Sequence, residues 1–272
     1  MEQILINNKY KLLNKIGKGA FGSIYRAQNI RTNEFVAVKV EPLKSQLKML
    51  KNETNIYQYL SRSPGIPEIK WYGRDTQNYY MVINLLGDSL QTLVNKPHTF
   101  SLENIQMIGI KIIEILRLIH DKGLVHRDIK PENFLFDANY KNQIHLIDFG
   151  LCKSYMDNKT GQHNTAKQTS GLIGSMNYAS INSHKRIGLS RRDDLESVCY
   201  MLLYFYSGHL PWFTESNESK VLEMKQNIIN SRGYPTILID ILKYVRCMEY
   251  SESPNYNLFL SNISFISTVS KN

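Results

Sequence analysis

His126-Arg127-Asp128-Ile129-Lys130-Pro131-Glu132-Asn133-Phe134-Leu135 is the stretch around which the chain is organised. It sets an acid, a lysine and an amide at fixed offsets, after an amphipathic helical pattern and before a hydrophobic strand pattern. Asp148-Phe149-Gly150 follows downstream, separated by one predicted hairpin. These residue types suit phosphoryl transfer. An Asp accepts the proton of the attacking hydroxyl, a Lys neutralises the moving phosphoryl group, and an Asn and a second Asp hold metal ions. One short string alone could arise by chance in a surface loop. Two strings in this order and at this spacing make chance a poor account.

The 272 residues suffice for one large domain or two packed lobes, and 42% hydrophobic content allows a sizeable core. Lys and Arg number 33 against 24 Asp and Glu, a formal net charge of +9, which favours acidic partners. Cys152, Cys199 and Cys247 are widely spaced, without metal spacing or a disulfide framework, and fit a reducing compartment, cytoplasm or nucleus. The start has no secretory pattern, and the longest apolar runs, such as 198–206, fall well short of the ~20 residues of a membrane span.

Residues 9–42 alternate as strands, with Gly17-Lys18-Gly19-Ala20-Phe21-Gly22 between two of them. Three glycines let backbone amides approach phosphate oxygens. A strand rather than a helix follows, which argues against a dinucleotide fold. Lys39 lies inside the apolar strand Phe35–Val40, where an unpaired ammonium is costly. A helix is predicted over 45–60, and Glu53 interrupts its apolar stripe of Leu50, Tyr57 and Leu60. Pairing Glu53 with Lys39 satisfies both. Strands are predicted over 69–72 and 79–86, then a helix capped by Ser101 with Leu102, Ile105, Ile108, Ile112, Leu116 and Ile119 inward. Phe134–Phe136 and Ile144–Ile147 read as a short hairpin, with His145 structural. His126 reads as a brace for its loop. Residues 153–170 read as an exposed polar segment. Helices are predicted from Ser190 through Tyr206 and from Ile237 to Glu249, and a last apolar segment runs to about Val269.

The chain resembles protein kinases and, within them, the casein kinase I group. The most specific residues are Tyr178-Ala179-Ser180-Ile181-Asn182 and Ser190-Arg191-Arg192-Asp193-Asp194-Leu195-Glu196-Ser197. Leu85-Leu86-Gly87, Gly65-Ile66-Pro67, Trp71-Tyr72-Gly73 and Leu210-Pro211-Trp212 also look like that group. The resemblance implies an α+β, two-lobed fold: a small five-stranded antiparallel sheet with one helix (residues 1–86), then a mainly helical lobe (87–272). It implies an ATP- and Mg2+-dependent Ser/Thr protein kinase with ATP in the cleft. Asp128 matches the catalytic base, Lys130 the phosphate-neutralising lysine, and Asn133 and Asp148 the magnesium ligands. Lys39 and Glu53 match the phosphate-orienting pair. Ile16, Gly17, Lys18, Gly19, Gly22, Ile24, Ala37, Ile83, Leu86 and Leu135 match nucleotide-binding positions, with Ile83 as gatekeeper. Asp194 matches an Asp that bonds back to the catalytic-loop backbone. The expected partners are protein substrates with acidic or phosphorylated segments, met by a monomer, with no specific nucleic acid.

Some positions depart from the group. Asn177 stands where Arg is usual, Ser175-Met176 where Thr-Ala is usual, and Cys199 where Gly is usual. The segment between Trp212 and Gly233 is short and lacks a basic run. These departures bear on peptide selection and regulation. The alternatives are a pseudokinase scaffold, against which the presence of Lys39, Asp128 and Asp148 argues, and a small-molecule phosphotransferase, against which the two motif strings argue.

Overall fold

Alternating strand patterns and 3.6-residue helical stripes separate cleanly in the structure. The computed structural model describes residues 5–19, 22–45, 48–95, 100–139, 142–157 and 159–265. The chain forms two compact units, residues 1–88 with 135–150, and residues 89–134 with 151–272. The expected boundary at residue 86 lies close to the first crossing, and the stretch 135–150 groups with the first unit.

In the first unit, β1 (Leu5–Ile6), β2 (Tyr10–Gly19), β3 (Gly22–Asn29), β4 (Phe35–Pro42), β5 (Ile69–Arg74) and β6 (Asn78–Asn84) build an antiparallel sheet in the order β1-β2-β3-β4-β6-β5. The sheet has six strands rather than five, because Leu5 and Ile6 pair with Lys11 and Tyr10 at its edge. Period-2 alternation sends Val36, Val38 and Val82 to one face, where they are fully buried with Tyr10, Ala27 and Tyr80. The sheet curls onto this face: Tyr10 near one edge lies 6.3 Å, ring to ring, from Trp71 on the opposite edge strand. Helix α1 (Met49–Tyr59) buries Leu50, Glu53 and Tyr57. The backbone N–H of Leu50 donates to the buried Glu41 carboxylate at 2.6 Å, tying the start of α1 to the end of β4. Part of the predicted start of this helix, residues 46–47, lies outside the described residues.

The second unit begins with α2 (Leu90–Val94) and α3 (Leu102–Asp121). Ser101 caps α3 by accepting from the Asn104 N–H at 3.3 Å, and Ile105, Ile108, Ile112, Leu116 and Ile119 face inward as their spacing predicts. After β7 (Leu124–Val125) the chain leaves this unit at β8 (Phe134–Phe136), which forms a hairpin with β9 (Ile144–Leu146) in the 135–150 stretch of the first unit. β10 (Lys153–Ser154) then pairs back onto β7. Residues 154–157 are therefore less exposed than the composition suggested, while Lys153 and most of 159–170 are exposed as expected. Tyr155 is buried and its hydroxyl donates to the His120 carbonyl at 2.7 Å, while residues 159–162 are exposed. Next come α4 (Ile181–His184), α5 (Arg191–Ser207), α6 (Glu218–Asn227), α7 (Thr236–Cys247) and α8 (Tyr256–Ser264). Helix α5 is buried on every side from Asp193 to Phe205, as befits the central element of a helical core. It stops at Gly208, whose φ of +74° suits a glycine C-cap. Val269, the expected end of the last apolar segment, lies outside the described residues. Among the described residues, no helix is long and apolar enough to cross a membrane.

The Trp71 ring lies directly over Gly73, where a Cβ would come within 2.2 Å of Cζ2. Gly73→Ala should therefore destabilise the protein by about 1–3 kcal/mol through overpacking. In a Trp71→Leu background the same change should cost much less. Urea denaturation of the four proteins measures this coupling, and equal costs in both backgrounds would show that the close approach is not the cause.

Candidate active site

Each unit carries its own group of the residues singled out by sequence. In the first unit, Ile24 lies opposite Lys39 across β3 and β4, and Ala37 lies opposite Ile83 across β4 and β6. All four therefore sit on the sheet face opposite the buried valines. Gly22 has a strict backbone reason: a Cβ there would lie 2.1 Å from the Val40 carbonyl oxygen. Gly17 and Gly19 have room, with nothing nearer than 3.5 Å and 3.9 Å. Lys18 and Ile16 on β2 are exposed. Beyond Leu86, the Gly87 N–H donates to the Phe136 carbonyl and the Phe136 N–H donates to the Asp88 carbonyl, holding that link against the strand that carries Leu135.

The Lys39 ammonium donates to both Glu53 oxygens, at 2.9 and 2.7 Å, and to Asp148 Oδ1 at 2.9 Å. Burial works against this cation, but the two carboxylates outweigh it and raise its pKa. Burial also pushes Glu53 up, to about 7, against the pull of Lys39. Asp148 adopts a left-handed φ of +64°, uncommon for a residue with a side chain. Its N–H donates to the Tyr57 hydroxyl at 3.2 Å, and the Phe149 ring stands edge-on to Tyr57 at 4.9 Å. Tyr57, read from sequence only as part of the α1 stripe, thus secures the Asp148-Phe149 turn.

In the second unit, the loop after β7 is built on a buried carboxylate. The His126 N–H donates to Asp194 Oδ2 at 2.7 Å, and the Arg127 N–H donates to Oδ1 at 2.8 Å. Engaging two successive amides in this way accompanies a φ of +69° at Arg127. His120 lies 3.0 Å from the same carboxylate. Burial opposes the Asp194 charge, but the contact with His120 and the backbone N–H of His126 hold its pKa below the usual carboxylate range. The fully buried His126 accepts from the Asp128 N–H at 3.3 Å, so it braces the loop.

Asp128 is held from both sides. Oδ2 accepts from the Lys130 ammonium at 2.7 Å, while Oδ1 accepts from the Ser175 N–H at 2.9 Å and the Ser175 hydroxyl at 2.8 Å. Lys130 also donates to the Ser175 hydroxyl at 2.9 Å. Gly174 makes this approach possible: its φ is +88°, and a Cβ would lie 2.6 Å from the Arg127 carbonyl oxygen. Asn133 is buried and its amide Nδ2 donates to the Asp128 carbonyl at 2.8 Å, which orients the amide and reserves Oδ1 as a hard oxygen donor. Oxygen donors on Asn133 and Asp148 are the type that magnesium takes. Among the described residues no denser cluster of His, Cys, Asp and Glu forms a metal site. His145 lies 3.4 Å from Asp137. Gly174 and Ser175 were not singled out from sequence as groups contacting Asp128. A glycine directly before a hydroxyl residue is the only local signal there.

The two motif strings behind the family resemblance meet in space. Ser180 and Asn182 both donate to Asp193 Oδ1, at 2.7 and 2.9 Å. Burial pushes Asp193 up to about 6, the opposite direction from its neighbour Asp194. A family model described as Protein kinase domain matches residues 10–263.

Asp194→Asn should destabilise the protein by about 3 kcal/mol, because at least one buried N–H loses its acceptor. The sign of the pH effect follows from the depressed pKa. The stabilisation by Asp194 is fully present above the ordinary carboxylate range and is lost as pH falls through its folded-state pKa. The wild-type melting temperature should therefore drop more steeply below pH 4 than that of Asp194→Asn, as calorimetry across pH will show.

Proposed function

The chain belongs to the protein kinase domain family over residues 10–263, and from that premise we propose an active Ser/Thr protein kinase of casein kinase I type, acting on acidic segments of protein substrates. The observation that carries this reading is the Ser175 hydroxyl at 2.8 Å from Asp128 Oδ1. A serine hydroxyl already fits the base within the distance that proton transfer needs. Bound ATP with magnesium supplies the phosphoryl group and its charge neutralisation. Asp128 takes the proton of the substrate hydroxyl. Lys130, already on the Asp128 carboxylate, turns its charge to the developing phosphoryl oxygens. Lys39, held by Glu53, would orient the nucleotide phosphates, and Asn133 and Asp148 are the residues whose oxygens would hold the metal. Ile16, Ile24, Ala37, Ile83, Leu86 and Leu135 supply the apolar and backbone surface for the base of the nucleotide, beneath Gly17, Lys18, Gly19 and Gly22. The joint hold of Asp193 on Ser180 and Asn182 supports the casein kinase I assignment, since both strings that suggest it depend on one another. The free cysteines fit a reducing compartment, cytoplasm or nucleus.

Incubation with labelled ATP, magnesium and casein tests the reading. Asp128→Asn should lower turnover by about 10²–10⁴-fold at an unchanged melting temperature. Near-normal phosphorylation by that variant would refute the base assignment. Nucleotide binding without turnover by the wild type would leave the scaffold alternative standing.

Substrate preference follows from Asn177. It lacks the charge and the fork of the arginine usual there, so a priming phosphate loses one charge-assisted contact, about 1.5–3 kcal/mol. Peptides with Ser, Asp or phosphoserine three residues before the target should show only a modest advantage for phosphoserine. Asn177→Arg should raise that advantage by roughly ten- to a hundredfold. A strong phosphoserine preference in the wild type, unchanged by Asn177→Arg, would place phosphate recognition elsewhere.

A further inference from the structure

Lys225 on α6 is fully buried, and no carboxylate contacts its ammonium among the described residues. The Nζ donates to the Met176 carbonyl at 2.7 Å, to the Ala179 carbonyl at 2.6 Å and to His184 Nε2 at 3.2 Å. The Tyr200 and Trp212 rings lie 4.8 and 5.4 Å from it and cover its remaining surface. Three acceptors thus meet a group with three donors, which is the complement of the charged form. The histidine tautomer agrees. His184 Nδ1 faces Glu218 Oε1 at 3.2 Å and carries the proton, which leaves Nε2 to accept from Lys225. Glu218 is steadied in turn by Arg186 at 2.7 Å. Burial pulls the Lys225 pKa down to about 7, with Glu196 and Glu218 opposing and Arg246 adding to the fall. A buried cation of this kind is costly unless it holds something in place.

What it holds is the stretch directly after Ser175. The carbonyls of Met176 and Ala179 point to Lys225, and the carbonyl between them, on Asn177, accepts from Trp212 Nε1 at 2.9 Å. The Tyr178 and Ala179 amides return to the Ser175 carbonyl. The backbone of 176–179 is thereby locked from beneath, next to the serine that contacts Asp128.

We propose that Lys225 is a positioning residue for peptide recognition, fixing the backbone of residues 176–179 as a preformed edge for the substrate chain beside its target hydroxyl. This rests on the kinase reading above. The bonds of the Lys225 ammonium among the described residues go to Met176, Ala179 and His184 of its own unit, so its expected effect falls on the peptide.

Steady-state kinetics with an acidic serine peptide, together with hydrogen exchange of residues 176–180, tests it. Lys225→Met should raise the peptide KM by about tenfold while the ATP KM stays within about twofold. His184→Leu, which removes one acceptor and leaves the lysine, should move the peptide KM in the same direction by less, and His184→Gln, which restores an acceptor, should recover it. Both Lys225→Met and His184→Leu should speed amide exchange in 176–180. Should Lys225→Met fail to fold, the two His184 variants decide. Unchanged peptide KM with a lowered melting temperature, or parallel changes in both KM values, would overturn the positioning role. A wild type that transfers no phosphate, with exchange still accelerated in the variants, would refute the kinase reading and leave the clamp; unchanged exchange would overturn the clamp itself.

Discussion

The buried carboxylates in the first two turns of α5 are the constraint on which the second unit depends. Asp194 holds the loop of His126 and Arg127, Asp193 holds Ser180 and Asn182, and Glu196 holds Arg246 of α7 at 3.2 Å. Three acids buried in the first two turns would be ruinous without partners, since each loses its hydration. The helix N-terminus favours negative charge, and every carboxylate accepts bonds from segments far away in sequence. The central apolar helix therefore does two jobs. Its body, from Leu195 to Phe205, is the core, and its first two turns distribute fixed anchor points.

The same principle, a charge made affordable only by its partners, governs the first unit. Lys39 sits between Glu53 and Asp148, so α1, β4 and the Asp148-Phe149 turn cannot shift independently. Tyr57 adds a neutral link to that turn through its hydroxyl and its ring. The left-handed backbones of Arg127 and Asp148 are held by such bonds. Non-glycine residues keep that conformation only where the surroundings over-determine it.

Lys225 inverts the pattern. Its cation is balanced by carbonyl dipoles, a histidine and two aromatic faces rather than by an acid. Carbonyls are what a backbone segment offers, so a lysine without a carboxylate suits the task of fixing a main chain. Asn177, in the middle of that segment, is half-buried and its carbonyl accepts from Trp212 Nε1. This joins the departures seen in the sequence to one physical arrangement.

Sequence alone determined a good deal. Periodicity marked the sheet and the long helices, because apolar spacing follows element geometry directly. A glutamate in an apolar stripe and a lysine in an apolar strand announced their pairing, because neither can be buried alone. The strings at 126–135 and 148–150 carried the protein kinase resemblance, and the family model over 10–263 agrees. The same reasoning applied to Val221, Lys225 and Ile228 would have marked Lys225, which interrupts a buried stripe at helical spacing. Its partners, however, are backbone carbonyls, and carbonyls carry no sequence signature. Tertiary structure also decided the sixth strand, the burial of Tyr155, and the approach of Ser175 to Asp128 past Gly174. The sixth strand is a local pairing of only two residues, too short for alternation to show. The other two are contacts between segments distant in the chain, and no local pattern records where a folded chain brings such segments together.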